Sequence, residues 1–339
     1  MSLDIEMSVT LGGYAGVVDL EGAAEGEPVL AVQVRSPTEE RNPRSTRIDM
    51  LDAAGVVATI LAEDAGVAAA VAARSAEITD LVELGVAALR GGGRVLYVGA
   101  GTSGRLAVLD AAELLPTYQV GEDQVRAHIA GGAPAMLHPV EGAEDDETQG
   151  RAVVADVTAR DLVIGLAASG RTPYVAGALQ HARSVGARIG LIACNPAAPL
   201  AELADVAVLV DTGPEVVTGS TRMKAGTAQK MVLNTFSTAV MIRCGKTYSN
   251  LMVDVLPTNE KLRGRVLRML TQATGAGLDR CREVLDTAGS PRTALVCLLA
   301  DAPPEVAAEA LATHPPDDQR SGDPSGVRSA VERLRRQRR

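Results

Sequence analysis

Three short stretches of this 339-residue chain combine glycine, hydroxyl and cationic residues in a way that suits an anion. In the first, Gly99-Ala100-Gly101-Thr102-Ser103-Gly104-Arg105, the glycines let backbone N–H groups approach a phosphate, and a helix starting there adds its positive end. The second, Ala168-Ser169-Gly170-Arg171-Thr172-Pro173, sets a serine, an arginine and a threonine around another helix start. In the third, Gly219-Ser220-Thr221-Arg222-Met223-Lys224, hydroxyls and cations open a long apolar segment. The candidate substrate-binding residues are therefore Gly101, Thr102, Ser103, Ser169, Gly170, Arg171, Thr172, Ser220, Thr221 and Lys224. Gly99, Gly101 and Gly104 also spell the G-x-G-x-x-G of a dinucleotide site, but no acidic residue ends the next strand to take a ribose. For Thr172 the plainer role is helix capping.

Two carboxylates could do acid–base work. Glu113 follows Leu106 and Leu109 by seven and four residues, so it shares their helical face near the helix C-terminus. Burial and the negative helix end are expected to raise its pKa, as a general acid requires; the alternative is an exposed Glu at a frayed end before Pro116. Glu144 lies in the acidic run 141–147 at a helix start, where a carboxylate stays ionised as a base should. A solvated first turn is the alternative there. The four His show no ligand spacing and the four Cys lack C-x-x-C, so no metal site is expected.

These residues need a frame. Short β-rich runs at 95–98, 125–130, 162–167, 189–193 and 206–210 alternate with helical stretches at 104–114, 143–157 and 173–185, which predicts an α/β fold with a five-stranded parallel sheet and helices on both faces. Open sheets of this kind bind ligands at strand C-termini, where the glycine stretches fall. Residues 38–90 read as helical up to the Gly91-Gly92-Gly93 stop, and 221–243 as a helix apolar nearly all round. Residues 1–35 are expected to form a poorly ordered extension, 36–250 the domain that carries the candidate site together with its N-terminal helices, and 251–339 a small helical domain. The terminal ERLRRQRR reads as a solvated helix end.

A composition 46% hydrophobic with a net charge of −9, no Trp and one Phe supplies neither a broad positive field nor aromatic platforms, so no nucleic-acid partner is expected. No apolar run is read as approaching a membrane span, and the start lacks a signal-peptide pattern, so the expected location is the cytoplasm.

Blocks spread through the chain make the reading specific: TEERNPRSTRID (38–49), GAGTSGRLAVLDAAE (99–113), VEGAED (140–145), AASGRTPYV (167–175), CNP (194–196), EVVTGSTRMKAGTAQKMVLN (215–234) and NLMVD (250–254). Over about residues 36–300 the chain resembles the N-acetylmuramic acid 6-phosphate etherase family. The resemblance implies the sugar-isomerase (SIS) fold, a homodimer, no cofactor, and conversion of N-acetylmuramic acid 6-phosphate to N-acetylglucosamine 6-phosphate and D-lactate in cell-wall amino-sugar recycling. Glu113 matches the family's proton donor and Glu144 its second catalytic carboxylate. One departure is plain: Asp110-Ala111-Ala112-Glu113-Leu114-Leu115-Pro116-Thr117 stands where relatives carry DASECPPT. Two rival readings remain, a non-catalytic phosphosugar sensor similar to glucokinase regulatory protein and an aldose–ketose isomerase of the same fold.

Overall fold

The computed structural model describes residues 36–255, 259–313 and 323–338. The expectation for residues 1–35 lies outside the described residues.

Five strands, β1 (Val95–Gly99), β2 (Val125–Ile129), β3 (Leu162–Leu166), β4 (Arg188–Ala193) and β5 (Val206–Leu209), form one parallel sheet in the order β2-β1-β3-β4-β5. All ten residues of β1 and β3 are buried, as strands covered on both faces must be. The helices beneath one face are α2 (Val67–Ala72), α3 (Ser75–Arg90), α4 (Gly101–Tyr118) and α7 (Lys224–Arg243); α5 (Glu147–Ala152) and α6 (Pro173–Ser184) cover the other. Alternation along the strands divides the core accordingly. Tyr97, Leu162, Ile164 and Ile192 join the first cluster, whereas Leu96, Val98, Val163 and Leu191 join the second. The expected α/β sandwich is the observed one. Chain order reverses at β1 and β3, and their C-terminal ends flank the crevice in which such sheets hold ligands.

The apolar helix α7 packs within the fold, with Val232, Leu233, Phe236 and Val240 in the core beside α3 and α4. What it leaves outward is mostly polar, through Thr227, Lys230, Asn234 and Thr235, with Ile242 near its end 44% exposed. Beyond it, α8 (Glu260–Thr274), α9 (Leu278–Ala288), α10 (Pro291–Ala300), α11 (Pro304–Thr313) and α12 (Val327–Gln337) close around a hydrophobic cluster of their own. Arg292 ties these helices to the chain leaving α7: it donates to both oxygens of Asp254, to Gly245 O and to Ser325 O over 2.7–3.0 Å.

The N-terminal helical region is more broken than its sequence suggests. Two 3-10 turns precede α1 (Ala53–Asp64), which is separated from α2 by Ala65 and Gly66. One expectation is corrected here: Ala53–Ala72 is by length and composition apolar enough to cross a membrane. Its break, and the buried Glu63 near its middle held by three polar side chains, make it a pair of surface helices instead. Val57 and Leu61 on α1 are 54% and 63% exposed.

Candidate active site

The first loop is shaped by close approach of strand and helix. A Cβ on Gly99 would stand 2.8 Å from Gly104 N, and one on Gly104 would stand 2.7 Å from Gly99 O, so both positions require glycine. That contact turns β1 directly into α4, with Ala100 at the N-cap making no side-chain cap bond. Gly101, Thr102 and Ser103 form the first turn, whose backbone N–H groups have no partner inside the helix. In the second loop Gly170 has φ of +68°, and a Cβ there would come within 2.2 Å of Ala198 Cβ. Thr172 occupies the N-cap of α6 but makes no side-chain cap hydrogen bond, contrary to the expected capping. Ser169 and Thr172 are half-buried. Both loops leave the C-terminal ends of adjacent strands, so two helix N-termini converge on the crevice.

The third loop is built differently, and part of its expected role is corrected. Glu215, fully buried, accepts from Lys224 N and Ala225 N at 3.0 and 2.9 Å, so the start of α7 is already capped by a carboxylate. Lys224 is itself 2% exposed, with Nζ 2.9 Å from Glu63 Oε2. It is a structural cation, not one presented to a ligand. Arg44 and Asn42 also bind the Glu63 carboxylate, and the Arg44 hydrogen bond chiefly holds its pKa down at about 2 against the effect of burial. Ser45 Oγ donates to Val216 O and Gly219 N to Thr38 O. The 38–49 block therefore clamps the loop from beneath, leaving Ser220 and Thr221 half-buried at its tip.

Glu113 and Glu144 are both exposed. The expected burial of Glu113 is corrected, because its face of α4 is turned outward: Leu109 and Leu115 beside it are 48% and 56% exposed. Glu144 sits in a 3-10 turn, Ala143–Asp145, and Asp146 caps α5 by accepting from Gln149 N at 2.8 Å. A cavity of about 660 Å³ opens beside it, lined by Gly131, Gly132, His128, Ala143, Asp146 and Tyr174 among others. It lies at the C-terminal end of β2, next to the crevice. Glu113 lies twelve residues beyond Gly101, about 18 Å along α4 at 1.5 Å per residue. One chain therefore does not bring its own Glu113 to its own first loop.

Sequence reasoning missed several buried or half-buried polar groups. Asp110 accepts from Tyr97 OH at 3.1 Å and Ser237 Oγ at 3.0 Å, fixing α4 against β1 and α7, and burial pushes its pKa up to about 6. His128 is held below its ordinary pKa by burial and by Arg126. Cys194 donates toward Ala225 O, and burial raises its thiol to about 12, which removes it as a nucleophile. None of these has a spacing signal; each depends on contacts between distant segments.

The glucokinase regulatory protein N-terminal SIS domain model matches residues 77–183, and the SIS domain model matches residues 136–239. The N-acetylmuramic acid 6-phosphate etherase of Thermobifida fusca is 58% identical over 267 residues, which is 78% of this chain and 88% of that protein. The etherase of the same name from Pectobacterium atrosepticum is 49% identical over 82% of this chain and 92% of its own length. Among solved structures, a phosphoheptose isomerase from Francisella tularensis aligns over 57% of this chain and all of its own, at 14% identity and a TM-score of 0.47.

Proposed function

The chain belongs to the N-acetylmuramic acid 6-phosphate etherase family, and from that premise we propose that it cleaves the D-lactyl ether of N-acetylmuramic acid 6-phosphate. The observation that carries this reading is the 58% identity to a relative of that name over most of both chains. In the open-chain sugar the C2 hydrogen is α to the C1 aldehyde and the lactyl ether at C3 is β to it. A base removes the C2 proton, the electron pair forms the C2–C3 double bond, and the C3–O bond breaks as an acid protonates the departing lactate oxygen. Water then adds to C3 and C2 is reprotonated. The sum is substrate plus water to N-acetylglucosamine 6-phosphate plus D-lactate, with no electron transfer. Glu144 is assigned as base and Glu113 as acid.

The phosphate is assigned to the two loops after β1 and β3, where Ser103, Ser169, Thr172 and helix N-terminal N–H groups converge. Gly101, Thr102, Gly170 and Arg171 shape that cradle, and Ser220 and Thr221 are assigned to the sugar. Truncating Ser169 or Thr172 to Ala is expected to raise KM more than it lowers kcat, as loss of uniform binding does. Unchanged KM in both variants would remove the phosphate from this loop.

Because Glu113 lies far down α4 from that cradle, a second copy must bring its Glu113 to the site, and the enzyme acts as a homodimer. The exposed Leu109 and Leu115 around Glu113, and Val57 and Leu61 on α1, are apolar surface that such a partner would cover. A phosphate ester does not cross a membrane unaided, which makes the cytoplasm the proposed setting.

Incubating the protein with N-acetylmuramic acid 6-phosphate and measuring D-lactate tests the reading. Lactate release supports it. Binding without turnover would make the protein a sensor, and ketose formation without lactate would make it an isomerase.

A further inference from the structure

Ser103, assigned above to the phosphate cradle, is paired with Gln229, a side chain to which that account gives no role. Ser103 Oγ donates to Gln229 Oε1 over 2.8 Å, in a buried contact joining the first turn of α4 to α7. A serine hydroxyl carries one proton, so with that proton committed to Gln229 it offers an anion only lone pairs. Gln229 is 1% exposed, yet its Nε2 has no partner among the described residues. A buried amide donor without an acceptor carries a desolvation penalty that a half-turn of the carboxamide relieves in part, since it exchanges donor for acceptor. After that turn Nε2 donates to Ser103 Oγ and the Ser103 proton is free for a phosphate oxygen. The frame around the pair is fixed. A Cβ on Gly226, one turn before Gln229, would stand 3.4 Å from Thr102 Cγ2, and the Ser237–Asp110 hydrogen bond pins the same two helices further on.

We propose that Gln229 is a positioning residue of the phosphosugar site: its amide takes the Ser103 proton when the site is empty and turns it toward the phosphate when ligand arrives. This rests on the phosphate placement proposed above and deepens it, because it gives one side chain outside the cradle control over a donor within it.

The test is calorimetric binding of N-acetylglucosamine 6-phosphate, with lactate release in parallel, to the full chain and to Gln229→Glu, Gln229→Met, Ser103→Ala and the double variants. Ionised, the side chain of Gln229→Glu accepts only, so at a pH that keeps it ionised it holds the Ser103 proton and is expected to weaken binding about 30-fold, whereas Gln229→Met leaves that proton unclaimed and is expected to cost about threefold or less. In the Ser103→Ala background the added effect of Gln229→Glu should shrink to about threefold or less, because there is no proton to hold. Charge repulsion alone would leave the Glu penalty undiminished there and would overturn the proposal, as would equal losses in the Glu and Met variants. Should Gln229→Glu not fold, the side-chain amide resonances of 15N-glutamine-labelled protein decide: the pair lost in Gln229→Met should shift when N-acetylglucosamine 6-phosphate binds, and an unmoved pair overturns the proposal. A wild-type protein that neither binds this ligand nor releases lactate would fail the functional reading and this proposal together. Normal wild-type binding and turnover with the wrong variant pattern would fail only the role of Gln229.

Discussion

Glu144→Gln is expected to lower lactate release by about 1,000-fold or more, and to abolish exchange of the substrate's C2 hydrogen with D2O, because both require the base. Glu113→Gln should lose lactate release on a similar scale yet keep C2 exchange, since only protonation of the leaving group is gone. A substrate with a better C3 leaving group should partly restore Glu113→Gln and leave Glu144→Gln inactive. The reverse pattern would exchange the roles, and full activity in either variant would remove that residue from the mechanism. Mixing the two inactive variants adds a geometric readout. With Glu144 and the phosphate loops from one chain and Glu113 from the other, half of a randomly mixed population carries one intact site, so about a quarter of wild-type activity should return. No recovery after verified subunit exchange would place both carboxylates of a site in one chain.

The second large effect concerns stability. Replacing Glu63 by Ala leaves Lys224 as a buried charge without its partner and frees Arg44 and Asn42, which should cost about 3–5 kcal/mol in urea unfolding. A loss below about 1 kcal/mol would mean that water reaches Lys224 in solution. The same site has a pH signature. The folded-state pKa of Glu63, about 2, lies below its ordinary value near 4.5, so its contribution is fully present above 4.5 and fades as pH falls toward 2. Wild-type stability should therefore decline over that interval more steeply than that of Glu63→Gln, which has no carboxyl there to titrate.

Much of the frame was legible because it depends on local pattern. Parallel strands covered on both faces must be nearly continuous apolar runs, and 162–167 and 189–193 are such runs; the glycine stretches after 98 and 168 mark the exits of 95–98 and 162–167. Gly99 and Gly104 were readable as glycines that let the backbone approach an anion, although their reciprocal contact was not. Lys224 misled because a lysine beside a helix start looks the same whether it faces a ligand or a buried carboxylate. Glu215 and Glu63, which decide the matter, lie 9 and 161 residues from Lys224. Glu113 misled for a related reason. Apolar spacing does not show whether a face of α4 is covered within the chain, and Leu109 and Leu115 are exposed. Gln229 gave no signal, since a glutamine in a long apolar helix becomes informative only once its partner is known.

The most direct measurement of the central claim is turnover of N-acetylmuramic acid 6-phosphate in water enriched in 18O and deuterium, with both products examined by mass spectrometry. Elimination followed by water addition predicts one 18O at C3 and one deuterium at C2 of N-acetylglucosamine 6-phosphate, together with D-lactate whose hydroxyl oxygen comes from the original ether. An 18O atom in the lactate hydroxyl, with the sugar unlabelled at C3 and C2, would show cleavage on the lactyl side and contradict the account.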